Sequence, residues 1–535
     1  MVKNKTTAVP PPILTGIKPL YFISFIEGGV VMVTEIAGAR ILTPFFGASL
    51  YSWASTLSIT LFALMTGYYS GGYATTKARF SSADKIFWVF FVSGLTVLLM
   101  PSMGSFIMKK TIAFSFFSGL LLSEIFFLFM PIFLMGMISP MIIFRITKKV
   151  DQSGKSAGTI YAVSTCGGIL FTLLFGFLIF PDYGIALPVR ILGLTVSLIG
   201  LVFLLKEKRS AKKAVAGLFV TFLIAMAAFS QTRPADFPTG PDTKVLEYSE
   251  GLLGELKVTD EITRAPDGSP VSVRKLKTNN IQQDYVFADL PTQSLMYYVN
   301  FTRQLVKSMP GKESALIIGL GAGSLYEVLD QQGYRNIETV EIDKRIYDIG
   351  IKYFGMPDHK SHFITDGRYF LNVTHKKYDL IILDVIIGEN VPGQLITLES
   401  FRTCYDILDN NGTLIIEHGG VHSFADNSFI PSIVKTLNAA GFLVSIFNPL
   451  LSDKFGDILF VATKQKLNTA GITISDDVLI KGGTLSDYLL PISTFDNSAA
   501  NILTDDRNNA DILLRSHYFE VRKNIRKDLA GLNRK

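Results

Sequence analysis

The sequence predicts an α-helical multi-span membrane domain fused to an α/β Rossmann-like domain with a small N-terminal β subdomain. Three observations predict it. Long apolar stretches follow one another up to about residue 230, after which the composition becomes that of a soluble protein. Beyond Ser314, short apolar runs of strand type alternate with helical stretches. Between the two halves, GELKVTDEI and SVRKLKT flank a turn at Pro266-Asp267-Gly268, the pattern of a small antiparallel sheet.

The first element is the membrane half. The chain has 535 residues, 48% of them hydrophobic and 41 of them Phe. Apolar runs lie at roughly 19–39, 50–76, 86–108, 112–144, 157–180, 184–205 and 214–229. Most reach the ~20 residues that cross a hydrocarbon core of about 30 Å. The net charge is +6. Much of the basic excess lies in short loops, at Lys77, Arg79 and Lys85, at Arg145, Lys148 and Lys149, and from Lys206 to Lys213. That distribution fits cytoplasmic membrane loops and excludes a nucleic-acid patch, so the lipid bilayer is the expected macroscopic partner. The N-terminus then lies in the cytoplasm. Six spans put the C-terminal half there too, whereas seven put it outside. The 214–229 run is the shortest, and the 112–144 run is interrupted by Pro131, so the count stays at six or seven. No removable signal peptide is predicted. Glu27, Glu35 and Glu124 fall in or near apolar runs, where a charge marks a pathway or an internal pair. Glu35 is expected to pair with Arg40. Cys166 and Cys404 are the only cysteines, so no disulfide framework exists.

The boundaries follow from composition: 1–230 membrane domain, 231–243 linker (QTRPADFPTGPD), 244–290 β subdomain, 291–465 nucleoside-binding catalytic domain and 466–535 C-terminal extension. In the α/β half the expected strands are ALIIGLG (315–321), IETVEID (337–343), HFITDG (362–367), YDLIILD (378–384), GTLIIEH (412–418), FLVSIF (442–447) and DILFVAT (457–463). Strands buried on both faces and linked by helices imply a largely parallel, doubly wound sheet, which binds ligands at its strands' carboxyl ends.

Polar residues stand at those ends. Gly319, Gly321 and Gly323 form a turn that lets a ligand approach backbone N–H groups. Glu341 and Asp343, about 20 residues on, stand where a ribose can donate its hydroxyls. Asp366-Gly367 ends the third strand, where a carboxylate can accept from an adenine amine. Together they point to an adenosine-bearing ligand, and the compact loop suits an S-adenosyl compound better than a dinucleotide. The domain is thus of the S-adenosylmethionine methyltransferase type. Asp384 ends the fourth strand beside the same crevice, where it can take a proton from an attacking amine. The histidines are scattered, so neither a metal site nor a prosthetic group is expected.

LIIGLGAG, VEID, TDGRYFL, YDLIILD, VPGQLITLESF and ILTDDRN, in this order, resemble the spermidine synthase (polyamine aminopropyltransferase) family. TEIAGARILTPFFGASLYSWAS (34–55) and SAGTIYAVSTCGGIL (156–170) resemble the family's membrane-fused bacterial branch. The resemblance implies transfer of an aminopropyl group from decarboxylated S-adenosylmethionine, a co-substrate, to putrescine or a related small amine. It implies that Glu341 holds the ribose, Asp366 holds the adenine and Asp384 acts as base. Gln283 and Tyr297 fall where the family has ligand-contacting Gln and Tyr. Because the donor is a cytosolic metabolite, the catalytic half is expected on the cytoplasmic side of the cell inner (plasma) membrane. The family's dimers and tetramers allow a homo-oligomer.

Three positions depart from the family pattern. Ala322 and Ile387 stand where polyamine-making members carry Asp, and Tyr298 stands where they carry Gln. Glu389 is the nearest replacement charge for the amine. Two other readings therefore stay open. One is an S-adenosylmethionine-dependent methyltransferase acting on another amine or a membrane-associated substrate. The other is a non-enzymatic polyamine or nucleoside sensor, or a transporter.

Overall fold

The computed structural model describes residues 18–514, apart from 48–49, 77–82, 112–113, 207–210, 231–242, 252, 265–268, 310, 386–391, 422–427, 453–454, 470, 477–478 and 496. The chain divides into two compact units, one helical and N-terminal, the other α/β and C-terminal.

The helical unit contains α1 (Lys18–Phe46), α2 (Leu50–Thr75), α3 (Ala83–Thr111), α4 (Phe116–Phe127), α5 (Phe129–Ile146), α6 (Ser153–Leu174), α7 (Phe180–Tyr183), α8 (Ala186–Lys206) and α9 (Ala211–Ser230). Small residues let helix axes approach closely, as apolar bundles require. A Cβ on Gly28 of α1 would overlap the Ser164 carbonyl of α6, and one on Gly71 of α2 the Met137 carbonyl of α5. A Cβ on Gly193 of α8 would overlap the Leu98 amide of α3.

Among the described residues, five helical segments are long and apolar enough to cross a bilayer, where the sequence predicted six or seven. The long α2 is not one of them; Ser, Thr, Tyr and Gly dilute its apolar content. The 112–144 run breaks between α4 and α5 at Leu128, one turn before Pro131. A proline ring collides with the carbonyl four residues back, here Phe127, the last residue of α4. The expected Glu35–Arg40 pair does not form among the described residues: five helical steps set the two about 140° apart around α1. The Arg40 guanidinium instead lies over the Trp53 ring, 5.7 Å from its centroid. Glu27 accepts from Ser139 Oγ at 3.1 Å and Ser164 Oγ at 3.0 Å, and Glu124 from Thr56 Oγ1 at 2.8 Å.

The α/β unit opens with an antiparallel sheet of β1 (Thr243–Gly251), β2 (Gly254–Arg264), β3 (Pro270–Thr278) and β4 (Ile281–Phe287). The next elements are α10 (Tyr297–Lys307), β5 (Ser314–Ile318), α11 (Ser324–Gln331), β6 (Asn336–Glu341), α12 (Lys344–Tyr353), β7 (His362–Ile364) and α13 (Gly367–Val373). Then come β8 (Tyr378–Leu383), α14 (Leu398–Ile407), β9 (Leu408–Val421), α15 (Phe429–Ala439), β10 (Leu443–Phe447) and β11 (Phe455–Thr463). The second sheet has the order β10-β11-β9-β8-β5-β6-β7. The pairings from β9 through β8, β5 and β6 to β7 are parallel, and β11 and β10 add on antiparallel.

Two apolar clusters sandwich this sheet. One face packs Phe370, Phe401 and Phe429 from α13, α14 and α15. The other packs Tyr298, Phe301 and Leu325 from α10 and α11 onto Ile317, Ile382, Ile415 and Leu459. Strand order reverses at β5: the chain runs outward through β6 and β7, then returns to β8 on the other side. Ligands of such sheets lie outside the carboxyl ends at this reversal.

Candidate active site

β5 stops at Ile318 rather than at 321, because Gly319 turns the chain with φ +85°. Gly321 and Gly323 also have positive φ, at 55° and 96°. Gly319 is fixed twice over. Its conformation suits glycine, and a Cβ there would overlap the carbonyl oxygen of Asp384. Gly323 is the N-cap of α11, so the loop leads into a helix N-terminus.

Glu341 ends β6 and folds back on this loop. Its Oε2 accepts from Leu320 N at 3.0 Å and its Oε1 from Asp343 N at 2.9 Å. It is 6% exposed. Burial pushes its pKa up to about 7, although the backbone donors pull the other way. Asp343 turns elsewhere. It is the N-cap of α12, accepting from Arg345 N, and its Oδ2 lies 2.6 Å from the Arg345 guanidinium. Asp366 caps α13, accepting from Tyr369 N at 3.0 Å. Gly367 follows, and a Cβ there would come 2.5 Å from Ile318 Cγ2.

β4 supplies Gln283 and Asp284. The register between β3 and β4 skips Gln283, a bulge that leaves it half-buried and sends Asp284 inward. Asp284 is 2% exposed and accepts from Ser324 Oγ at 2.8 Å, tying β4 to the glycine loop. Burial raises its pKa. Tyr297, half-buried, opens α10. Glu389 and Ile387 lie outside the described residues.

Asp384 stands one residue beyond β8. Its Oδ2 accepts from Tyr298 Oη at 2.9 Å. Burial pushes its pKa up to about 7; the Tyr298 hydrogen bond opposes this, and the charges of Asp284, Asp457 and Glu341 add to it. The Tyr298 phenol is itself held well above its ordinary range by burial and by Asp384, so it remains the donor.

Two carboxylates escaped the sequence reading, Glu417 in β9 and Asp457 in β11. Leu383 pairs with Ile416, so Asp384 comes level with Glu417 one step further on. Glu417 pairs with Leu459, two residues from Asp457. With a side-chain period of two, Asp384, Glu417 and Asp457 share the face occupied by Ile382, Ile415 and Leu459, under α10. The Tyr298 backbone N–H is directed at Asp457. At the carboxyl ends, the glycine loop and Glu341 thus lie on one side of β5 and the buried acids Asp384, Glu417 and Asp457 on the other, and burial raises the pKa of all three.

A profile of the spermine/spermidine synthase domain matches residues 297–467. The matched stretch lies wholly within the α/β unit. Over 143 residues it is 32% identical to the polyamine aminopropyltransferase of Agathobacter rectalis, covering 25% of this chain and 50% of that one. Over 435 residues it is 23% identical to polyamine aminopropyltransferase 2 of Aquifex aeolicus, covering 78% and 82%. Over 257 residues it is 27% identical to the N-terminal histidine N-methyltransferase of Emericella nidulans, covering 46% and 43%. The chain thus spans about half the length of the Agathobacter and Emericella relatives. Within the synthase domain, Ala322 is 1% exposed and packs in an apolar cluster with Leu256, Val258 and Ile349. Asp505 forms an ion pair with Arg368 at 2.8 Å and accepts from Thr397 Oγ1 at 2.7 Å, which holds the C-terminal segment onto α13 and the start of α14.

Proposed function

We propose that the synthase domain is a spermidine synthase-like aminopropyltransferase that uses decarboxylated S-adenosylmethionine and putrescine or a related amine. The observation that carries this reading is Asp384, hydrogen-bonded by Tyr298 and level with the glycine loop that Glu341 braces. In this reading Glu341 binds the ribose hydroxyls, with Asp343 beside it as cap and structural support. Asp366 receives the adenine amine, Gly319, Gly321, Gly323 and Gly367 keep the backbone close to the nucleoside, and Gln283 and Tyr297 line its tail. The amine nitrogen attacks the aminopropyl carbon bonded to the sulfonium sulfur. The new N–C bond forms as the C–S bond breaks. The electron pair stays on sulfur, which leaves as neutral methylthioadenosine, and the nitrogen's proton passes to Asp384. With its pKa near 7, Asp384 accepts that proton at neutral pH.

A second reading is methyl transfer from S-adenosylmethionine. It is favoured by the similarity to a histidine N-methyltransferase and by the apolar seating of Ala322. The two differ in product. The full chain, purified in detergent, is given each donor with putrescine. Methylthioadenosine supports aminopropyl transfer, S-adenosylhomocysteine supports methyl transfer, and binding without either refutes both. Glu341→Ala should abolish methylthioadenosine binding in calorimetry.

The apolar helices are read as crossing the inner membrane, with the synthase domain in the cytoplasm. Protease treatment of right-side-out vesicles should leave a C-terminal tag intact, and cleavage from outside would reverse this topology.

A further inference from the structure

The helical unit holds two buried acids that the transferase reading leaves without a task, Glu27 of α1 and Glu124 of α4. Ser139 of α5 and Ser164 of α6 both donate to Oε2 of Glu27, at 3.1 and 3.0 Å, and no donor among the described residues reaches its Oε1. Ser55 Oγ donates to Glu124 Oε2. Thr56 Oγ1 lies 2.8 Å from Glu124 Oε1 and 2.9 Å from the Ser52 carbonyl oxygen, with one proton for the two acceptors. Both contacts close when Glu124 is protonated and donates to Thr56. Among the described residues, no Lys, Arg or His pairs with either acid. Acids kept among apolar helices without a counter-ion are costly, and they mark routes for ions or protons.

Two hydroxyls stand between these acids. Threonines of this unit commonly donate to the carbonyl one turn back, as Thr56, Thr66 and Thr221 do. Thr34 of α1 and Thr60 of α2, 1% and 2% exposed, do not: each Oγ1 is buried without a hydrogen-bond partner among the described residues. Arg40 lies over Trp53 and the Glu27 charge acts on the Tyr68 phenol, so α1 and α2 run antiparallel. Thr34 stands seven residues beyond Glu27 on the same face of α1, and Thr60 stands eight before Tyr68, which brings both threonines to one depth. Thr60 is also one turn beyond Thr56. At 1.5 Å per residue the threonines lie about 10 Å along the axis from Glu27 and roughly 6 Å from Thr56. We propose that Glu27, Thr34, Thr60 and Glu124 form a proton path through the middle of the helical unit. The inference rests on the reading that these helices cross the membrane and is independent of the transferase reading. In one transfer, protonated Glu27 loses its proton and ionised Glu124 gains one. Water carries the proton over the steps. Each hydroxyl accepts a proton on a lone pair while giving up its own, so Thr34 and Thr60 end as they began. The bare Oε1 of Glu27 is the oxygen that holds its proton, and α2, too rich in Ser, Thr and Tyr to count among the apolar spans, supplies the relay next to Glu124.

For the test, the full chain is reconstituted in phosphatidylethanolamine–phosphatidylglycerol vesicles that enclose a pH-sensitive dye. A potassium diffusion potential, negative inside, draws protons in. Wild type should acidify the lumen several-fold faster than protein-free vesicles, with choline in place of sodium. Glu27→Gln and Glu124→Gln should each return the rate to the protein-free level, and Glu27→Asp should recover part of it. Thr34→Val or Thr60→Val should lower the rate about 3- to 10-fold, the effect of one lost hydrogen bond. An apolar carbodiimide, which couples to protonated buried carboxyls, should block wild-type flux and leave adducts on Glu27 and Glu124 in peptide mass spectra. That readout needs no variant to fold, and adducts on neither acid overturn the path. Wild-type chain that stays in the vesicles through alkaline extraction yet conducts no faster than bare lipid overturns the path alone. So does flux that requires sodium, or an unchanged rate in Glu27→Gln. Release of the chain by alkaline extraction overturns the path and the membrane reading together.

Discussion

Replacing Tyr298 by Phe removes one oxygen and leaves the ring in its apolar seat on α10. The lost hydroxyl donates to Asp384 Oδ2 at 2.9 Å. A hydrogen bond to an ionised acceptor is worth about 1.5–3 kcal/mol. At about 1.36 kcal/mol per pKa unit, its loss raises the pKa of the acid by roughly 1–2. The direction follows from what the bond favours. It stabilises the carboxylate, so without it Asp384, already near 7, holds its proton to higher pH. A base must be deprotonated to act, so activity should appear later on the pH axis. The assay is kcat/KM for methylthioadenosine release against pH, wild type and Tyr298→Phe in parallel, because this ratio reports the free enzyme's groups. Ionisation of the acceptor amine contributes equally to both curves and cancels in their ratio. The acid limb should move up by about 1–2 units, and the curves should converge at high pH. A limb that stays in place while the rate falls equally at every pH would refute the link between Tyr298 and the base.

Asp384→Asn should keep methylthioadenosine affinity within a few-fold in calorimetry while lowering turnover by about 10²–10⁴; turnover near wild type would remove Asp384 from the chemistry. Gly319→Ala places a Cβ against the Asp384 carbonyl at φ +85°, where an ordinary residue already costs about 1–2 kcal/mol. It should lower the melting temperature of the α/β unit and abolish nucleoside binding, and a variant that binds normally contradicts the tight loop. The pKa values of Asp384 and Glu341 are raised to about 7 and that of Asp457 to about 6. The folded chain therefore binds more protons than the unfolded chain between about pH 4 and 7, and stability falls as pH rises through that window. The decline should flatten in Asp384→Asn, as read by thermal melts. A wild-type curve that rises there would contradict the burial of these acids.

Much of this was legible from residue order. All seven expected strands of the large sheet form, and their polar ends meet at one edge because strands buried on both faces read as unbroken apolar runs. Glu341 and Asp384 could be found because each terminates such a run, where an acid stands out. Glu417 and Asp457 could not be found that way. Each sits inside or at the edge of a run read as strand core, and their importance depends on register: Leu383 beside Ile416, Leu459 opposite Glu417. A one-residue slip would have turned both into the opposite apolar layer. The available signal was an acid interrupting LIIEH and opening DILFVAT, ambiguous until the neighbouring strand is known. Asp284 escaped for a related reason. The bulge between β3 and β4 changes which residue points inward, and Asp284 takes the place beside the loop. Asp343 stands two residues after Glu341, precedes α12 and serves as its N-cap, a role that its position just before a helical stretch already suggests.

The location of the acids bears on what the site can discriminate. A carboxylate on a loop pays little desolvation and can turn away when no cation is bound. Glu417 sits inside a strand: it pairs with Leu459 of β11, and the residue before it, Ile416, pairs with Leu383 of β8. Burial first, and then the neighbouring Asp384 and Asp457, raise its pKa well above the ordinary carboxylate range, so the free protein holds a proton there. A neutral ligand leaves this group unchanged and gains nothing from it, whereas a cation that meets Glu417 in its ionised form must first displace that proton.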